Sequence, residues 1–379
     1  MEFENLIHAK IKENKGVITF RDYMEMALYH ETYGYYRKDI PLIGKKGDFV
    51  TSPHTGPFFG ALIAVQLKNL FDISGRSAFN IVEMGAGHGF LAKDILDYLM
   101  MYENEFYKKT RYIIIEPAQP TMDIQKTNLK KFLDNVVFYQ TMDELPELEG
   151  CVLSNELLDA FPVHLIEKKQ GVFHEVGITV NNDNQLKEVL VDIKKETPLF
   201  TYIKERVPKD LPDGYRTEVN MDIINWLDSL NSKLLSGFIF TIDYGHSAKD
   251  YFNNARNRGT LLCYREHQVN ENYLEYPGSQ DITAHVNFSD LHHWGKLYGF
   301  TTIGYNEQWA FLGGLDFEKT YIKIFKKIDP FSKELNAVKM LIMPHCMGAT
   351  HKVMIQVKDI DVKTGDIKGF KLRNIMDRL

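Results

Sequence analysis

The chain has 379 residues, 44% of them hydrophobic and 25% charged, a balance that suits a globular protein whose core can stand without metals or disulfides. Its formal net charge of −6 argues against a non-specific nucleic-acid binder. The three cysteines, Cys151, Cys263 and Cys346, are odd in number, widely spaced and form no CxxC pair, which fits reduced thiols in a reducing compartment.

The first sixteen residues carry neither the apolar stretch and cleavage site of a secretory signal nor the Arg- and Ser-rich composition of a transit peptide. No apolar run approaches the length of a membrane span. A cytoplasmic enzyme is expected, or one of the mitochondrial matrix if the sequence is a mature eukaryotic form. Leu6, Ile7 and Ile11, then Tyr23, Met26 and Ala27, recur at helical spacing. A Gly- and Pro-punctuated stretch follows from Gly34, and an amphipathic helix is predicted over 57–70 with Pro57 in its first turn.

Short apolar runs then alternate with amphipathic stretches. Strands are predicted at 79–83, 111–116, 136–139, 151–155 and 237–243, and helices at 89–102, 120–133 and 221–234. The spacing implies right-handed βαβ units, and the wholly apolar FNIV, YIII and FIFTI fit strands buried on both faces of a parallel sheet. Between the fourth and fifth strands, residues 163–193 alternate apolar and polar around QG and NNDN, the pattern of an inserted antiparallel hairpin. A helix over 288–299, the strand-like TTIGYN, two further helices and a strand at 351–357 follow. The expected organisation is an N-terminal helical cap and loop over 1–75, a doubly wound α/β domain over 76–360 with insertions near 164–215 and 307–340, and a loosely held polar tail over 361–379.

The sharpest motif is Ile81-Val82-Glu83-Met84-Gly85-Ala86-Gly87-His88-Gly89 at a strand-to-helix junction. Alternate glycines allow a tight turn and close approach of a ligand, and ligands of open α/β sheets bind at the carboxyl ends of strands. The third glycine comes one residue too early for the dinucleotide fingerprint, and Glu83 precedes the first by two. That combination suits S-adenosylmethionine, which has an ammonium for an acid to hold and no pyrophosphate to cradle. Glu116 ends the second strand, 33 residues after Glu83, where a carboxylate can accept both hydrogen bonds of a ribose diol; a solvated strand-end acid is the competing reading. Gln140, after the third strand, falls where an adenine would dock.

The fourth strand ends in Ser154-Asn155-Glu156-Leu157-Leu158-Asp159-Ala160-Phe161-Pro162. Asn155, Glu156 and Asp159 place polar groups in one short turn, and paired carboxylates there can grip a guanidinium in a fixed orientation. Helix capping by Ser154 or Asn155, with Asp159 solvated, is the alternative. Asp243, after the fifth strand, and His285, in a polar loop cluster with Arg265, Glu266 and His267, are candidate proton acceptors. His292 and His293 read as surface groups; His345, Cys346 and His351 match no metal spacing, so no metal site is expected.

Taken together, these stretches resemble the MidA-type methyltransferases, the family of the mitochondrial respiratory complex I assembly factor with arginine methyltransferase activity. The resemblance rests on Phe20-Arg21-Asp22-Tyr23-Met24, Tyr33-Gly34-Tyr35-Tyr36, Gly47-Asp48-Phe49-Val50-Thr51-Ser52-Pro53, Glu83 to Gly89, Asn155 to Val163, Asp243-Tyr244-Gly245, Gly259-Thr260-Leu261, Asp281-Ile282-Thr283-Ala284-His285-Val286 and Met347-Gly348, in order along nearly the whole chain. It implies a class I methyltransferase fold, S-adenosylmethionine as cofactor and, for mitochondrial members, symmetric dimethylation of an arginine in a complex I core subunit. The chain departs from the pattern after Gly348, where Ala349-Thr350-His351-Lys352-Val353 replaces an expected Glu and Phe-Lys-Val. On this reading Glu83, Gly85, Gly87, Gly89, Glu116, Gln140 and Asn155 hold the cofactor. Asn155, Glu156, Asp159, Asp243 and His285 serve the acceptor, and the 47–53 loop closes as a lid. The expected partner is an arginine-bearing protein, not nucleic acid or membrane, and a homodimer is a further expectation. Methyl transfer to a small molecule, a non-catalytic assembly module and a dehydrogenase are the rivals.

Overall fold

The computed structural model describes residues 2–37, 56–266, 268–327 and 332–379. Seven strands run across the central sheet among the described residues, β1 (Phe79–Met84), β2 (Thr110–Ile115), β3 (Val136–Tyr139), β4 (Leu148–Asn155), β5 (Leu234–His246), β6 (Thr301–Glu307) and β7 (His351–Lys358), and the short Val286–Asn287 pairs with the end of β5. Their order across the sheet is β6-β7-β5-β4-β1-β2-β3. Every pairing from β5 to β3 is parallel, and β7 runs antiparallel to both neighbours. The order reverses between β1 and β4, so the carboxyl ends of those strands open the crevice where a ligand binds. This is the doubly wound α/β architecture of a class I methyltransferase.

The strands are apolar throughout because each face meets helices. Ile81, Tyr112, Ile114, Leu153 and Phe240 join one core with α3 (Pro57–Ser74) and α4 (Phe90–Tyr102), which follow two N-terminal helices, α1 (Glu2–Glu13) and α2 (Phe20–Tyr29). Val82, Ile113, Val152 and Ile239, one residue out of phase, join the opposite core with α6 (Asp222–Lys233) and α7 (Phe288–Leu297). Between β2 and β3 the helix predicted over 120–133 is shorter: α5 (Gln119–Asn128) gives way to a tight turn at Lys130–Phe132.

The insertion is larger than a hairpin. His164–Lys169, Val172–Val180 and Leu186–Asp192 form a meander, extended by Arg216–Val219 beside the first strand, while Ile18–Thr19 pairs with Ile178 and Gly177 of the middle strand. The helices α1 and α2 lie on this second sheet and share a separate core with Val163, Ile178 and Ile282. Thr19 caps α2 by accepting a hydrogen bond from the Asp22 N–H (3.0 Å). Residues 1–75 therefore do not form one unit: α1 and α2 belong to the second sheet, whereas α3 belongs to the central layers. The 47–53 segment expected as a lid lies outside the described residues.

The tail is not loosely held. Ile367, Phe370 and Ile375 are buried, the Gly369 N–H donates to Gln66 Oε1 (2.9 Å), and Asn306 Nδ2 donates to the Arg373 carbonyl (2.6 Å). The Phe370 ring packs against Phe311 and over Gly304, where a Cβ would approach the ring to 2.1 Å. Phe370→Ala is expected to cost about 3–5 kcal/mol in unfolding free energy. Chemical denaturation checks this; a change below about 1 kcal/mol would mean the tail is indeed peripheral.

Candidate active site

The loop from β1 into α4 turns through three glycines of positive φ, Gly85 (71°), Gly87 (51°) and Gly89 (78°), a backbone path that L side chains adopt only with strain. Helix α5 of the neighbouring βα unit fixes this loop. Gln125 Nε2 donates both to the Gly87 carbonyl (2.8 Å) and to Glu116 Oε2 (3.1 Å), and Asn128 Nδ2 donates to the His88 carbonyl (2.9 Å). Glu116 also accepts from the Ala118 N–H (2.9 Å). Burial raises its carboxyl above the ordinary range, while these donors and Arg37 oppose the shift. Glu83, buried at the end of β1, accepts from the Tyr112 hydroxyl (2.7 Å), and desolvation pushes its carboxyl up to about 7. Gln140 is exposed at the end of the edge strand β3; its N–H donates to Glu144 Oε2 (3.0 Å). It stands beside Glu116, whose N–H donates to the Tyr139 carbonyl (2.9 Å).

The second half of the site follows β4. Glu156 has φ 51°, unusual for a side-chain-bearing residue, and its N–H donates to the Ile242 carbonyl (2.9 Å). The turn after it is tied down on several sides. Asp243 Oδ2 accepts from the Leu157 and Leu158 N–H groups (3.2 and 2.8 Å), and Oδ1 accepts from the Tyr244 N–H (2.8 Å). The Ala284 N–H donates to the Asp159 carbonyl (2.9 Å), and the Tyr29 hydroxyl to the Ala160 carbonyl (2.8 Å). Both oxygens of Asp243 accept backbone hydrogen bonds, so besides the role its position suggests it anchors the turn that carries Glu156 and Asp159.

What results is a buried acidic chamber. Glu156, Asp159, Asp243 and Asp281 crowd together. Burial, reinforced by Asp243, Glu156 and Asp281, pushes the Asp159 carboxyl well above its usual range. Burial, with the charge of Glu156 and against three backbone donors, takes Asp243 to about 8. Asp159 Oδ1 and Asn155 Oδ1 are buried with no hydrogen-bond partner among the described residues. Helix capping does not account for Asn155, whose Nδ2 points to Glu156 Oε1 (3.4 Å). Buried carboxylates left short of donors are costly and select a ligand that supplies N–H groups and positive charge.

Several groups here escaped sequence reasoning. The Tyr36 hydroxyl donates to Asp281 Oδ1 (2.7 Å), and Arg37 Nη1 to the Pro117 carbonyl (2.9 Å), so residues 29–37 touch both halves of the site. Nothing in the sequence signals contacts across 80 to 245 residues. His351, set aside as unpatterned, is fully buried with Nε2 3.5 Å from Glu156 Oε1. His285 pairs with His246, Nδ1 to Nε2 at 3.0 Å. Gln125 had a legible signal: it falls on the stripe of Met122 and Leu129, a polar residue where the periodicity calls for an apolar one. His292 is not mere surface, since its Nδ1 meets Thr302 Oγ1 at 2.9 Å. His267 lies outside the described residues, and the described residues contain no His, Cys, Asp and Glu grouping able to hold a metal ion.

A family model of S-adenosyl-L-methionine-dependent methyltransferases matches residues 62–306. The chain is similar to the mitochondrial protein arginine methyltransferase NDUFAF7 of Mus musculus, at 29% identity over 370 residues, covering 89% of this chain and 80% of the relative. Its Caenorhabditis elegans homolog is 27% identical, with 80% and 74% covered. Among solved structures, a protein of Burkholderia thailandensis bound to S-adenosyl-homocysteine superposes with a TM-score of 0.90 at 28% identity, covering 100% of this chain and 96% of that one.

Proposed function

We propose that this chain, which belongs to the S-adenosyl-L-methionine-dependent methyltransferase family, methylates a guanidinium nitrogen of an arginine in a partner protein. The observation that carries the acceptor assignment is the acidic chamber, with Asp159 Oδ1 and Asn155 Oδ1 lacking partners among the described residues. A guanidinium offers five donors in a planar fork and stays charged at any ordinary pH. The arginine methyltransferases among the relatives support the same acceptor. Their names place those proteins in mitochondria, which favours the matrix over the cytoplasmic setting expected at first; the resemblance adds a respiratory complex I subunit as one such partner.

The residues present fit the cofactor. Glu116 keeps lone pairs for a diol beyond the two hydrogen bonds it accepts, Glu83 brings a buried acid to the glycine turn, and Gly85, Gly87 and Gly89 leave the backbone bare. S-adenosylmethionine supplies a methyl group activated by its sulfonium. Glu156 and Asp159 orient the acceptor nitrogen for in-line attack and hold its charge, while Asp243 keeps their turn in place. A decisive experiment incubates the enzyme with methyl-labelled S-adenosylmethionine and hypomethylated cell protein, then locates the label by peptide mass spectrometry. Label on arginine is expected; label confined to other residues or to small molecules contradicts the assignment.

The chamber also sets a pH dependence. Two of its carboxyls titrate high when no cation is bound: burial first, then the neighbouring acids, takes Asp243 to about 8 and Asp159 well above its usual range. A guanidinium must displace those protons, so its affinity falls as pH drops below about 8 and rises toward it. Calorimetry of an arginine amide in two buffers of different ionisation enthalpy is expected to show proton release near pH 7. Affinity independent of pH between 6 and 8 would contradict it.

A further inference from the structure

The acceptor chemistry proposed above, on which this inference rests, releases a proton inside the chamber. Methyl transfer forms an N–C bond and breaks the S–C bond, whose electron pair stays on sulfur. The guanidinium nitrogen sheds one N–H proton, and the methylated group keeps its single positive charge. One proton per transfer must therefore leave carboxylates that have to be ionised again to hold the next arginine.

Behind the chamber, at the carboxyl ends of β5 and β6 and the amino end of β7, lies a polar cavity of about 210 Å³ lined in part by His246, Asp250, Glu307 and Lys352. His246 joins it to the chamber side. Its Nε2 is 3.0 Å from His285 Nδ1, with ring centroids 5.1 Å apart. The Tyr244 ring lies between His285 (6.2 Å, nearly parallel) and His351 (4.0 Å), and His351 Nε2 faces Glu156 Oε1 at 3.5 Å. These rings stand in a row between Glu156 and the cavity, and the His285–His246 contact is the hydrogen-bonded step in that row among the described residues.

We propose that the His285–His246 pair carries the released proton from the acceptor chamber to this cavity. Two neutral imidazoles sharing one hydrogen bond each keep a second nitrogen, so a proton taken up at one end is matched by one given off at the other. Burial first, then the charges of Arg256 and Lys352, hold both rings neutral: His285 is lowered to about 4 and His246, which also feels His285, to about 3. A neutral pair does not compete with arginine for the chamber carboxylates. The charged groups facing His246 from the surrounding elements are Asp250, Arg256, Glu307, Lys352 and Arg378, and the two carboxylates among them can receive the proton.

The test uses His246→Ala, which leaves a gap beside the cavity, and His246→Gln, which keeps hydrogen-bonding capacity but cannot relay. Turnover is followed on a peptide spanning the arginine labelled in the experiment above, with a pH indicator reporting proton release. Both variants are expected to bind S-adenosylmethionine and peptide within about twofold of wild type and to lose about tenfold or more in kcat, the low end of proton-transfer contributions. Added imidazole should restore His246→Ala and not His246→Gln. Wild-type kcat in both variants, or a loss in His246→Ala that imidazole does not repair, overturns the relay. A wild-type enzyme that labels no arginine overturns the acceptor assignment instead, and the two failures are thereby separated.

Discussion

Glu156→Gln is expected to lower kcat by about a hundredfold while leaving S-adenosylmethionine affinity within about twofold. Glu156 stands after β4, on the acceptor side of the glycine loop, at a backbone angle that only a well-determined turn sustains. Its carboxylate faces a chamber built to hold a cation, and a charge-assisted hydrogen bond is worth about 1.5–3 kcal/mol there. Gln preserves size and one acceptor oxygen but removes the charge, so the acceptor nitrogen is held less firmly in line. Most of the groups proposed to hold the cofactor are untouched, because Glu83 is in β1, Glu116 follows β2 and the glycines lie between β1 and α4; Asn155, whose Nδ2 points to Glu156 Oε1, is the neighbour the change reaches. Steady-state kinetics with calorimetric cofactor binding checks this. Equal loss in kcat and in cofactor affinity would place Glu156 with the cofactor.

Gly87→Val is expected to weaken S-adenosylmethionine binding by tens to a hundredfold. Gly87 sits at φ 51°, where a β-branched residue carries about 1–3 kcal/mol of strain, and about 1.4 kcal/mol is tenfold in affinity. Relief of that strain displaces the Gly87 carbonyl from Gln125, and Gln125 also holds Glu116. One substitution thus disturbs both the glycine turn and the carboxylate proposed for the ribose. Its effect should be local, since Gly87 itself is not part of the two cores that flank the sheet. Calorimetry paired with a thermal melt separates binding from stability. Wild-type affinity in a folded Gly87→Val protein would remove the glycine loop from the cofactor site.

Legibility in the sequence followed locality. The central strands were readable because burial on both faces demands unbroken apolar runs, and the placement of Glu83, Glu116, Asn155 and Glu156 was readable because parallel strand ends converge on one crevice. The second sheet was only half visible. Its meander alternates as strands should, but Ile18 pairs with Ile178, and no local pattern announces a partner that distant. The tail misled for a similar reason: Ile367, Phe370 and Ile375 sit among short 3₁₀ turns that carry no amphipathic period. Within the site, Asp243 was found by position, but its anchoring contacts come from two N–H groups of the turn after β4 and one of β5 itself. Tyr29, Tyr36 and His351 reach the chamber only through tertiary packing.

On the proposed function, the acidic chamber selects a cationic guanidinium. The most direct measurement titrates the enzyme, loaded with S-adenosylhomocysteine, with an arginine peptide and with the same peptide carrying citrulline, its neutral near-isostere, at pH 8. Saturable binding of the arginine peptide, at least about tenfold weaker for citrulline and lost in Asp159→Asn, is predicted from the value of a charged hydrogen bond. Equal binding of the two peptides would contradict the claim.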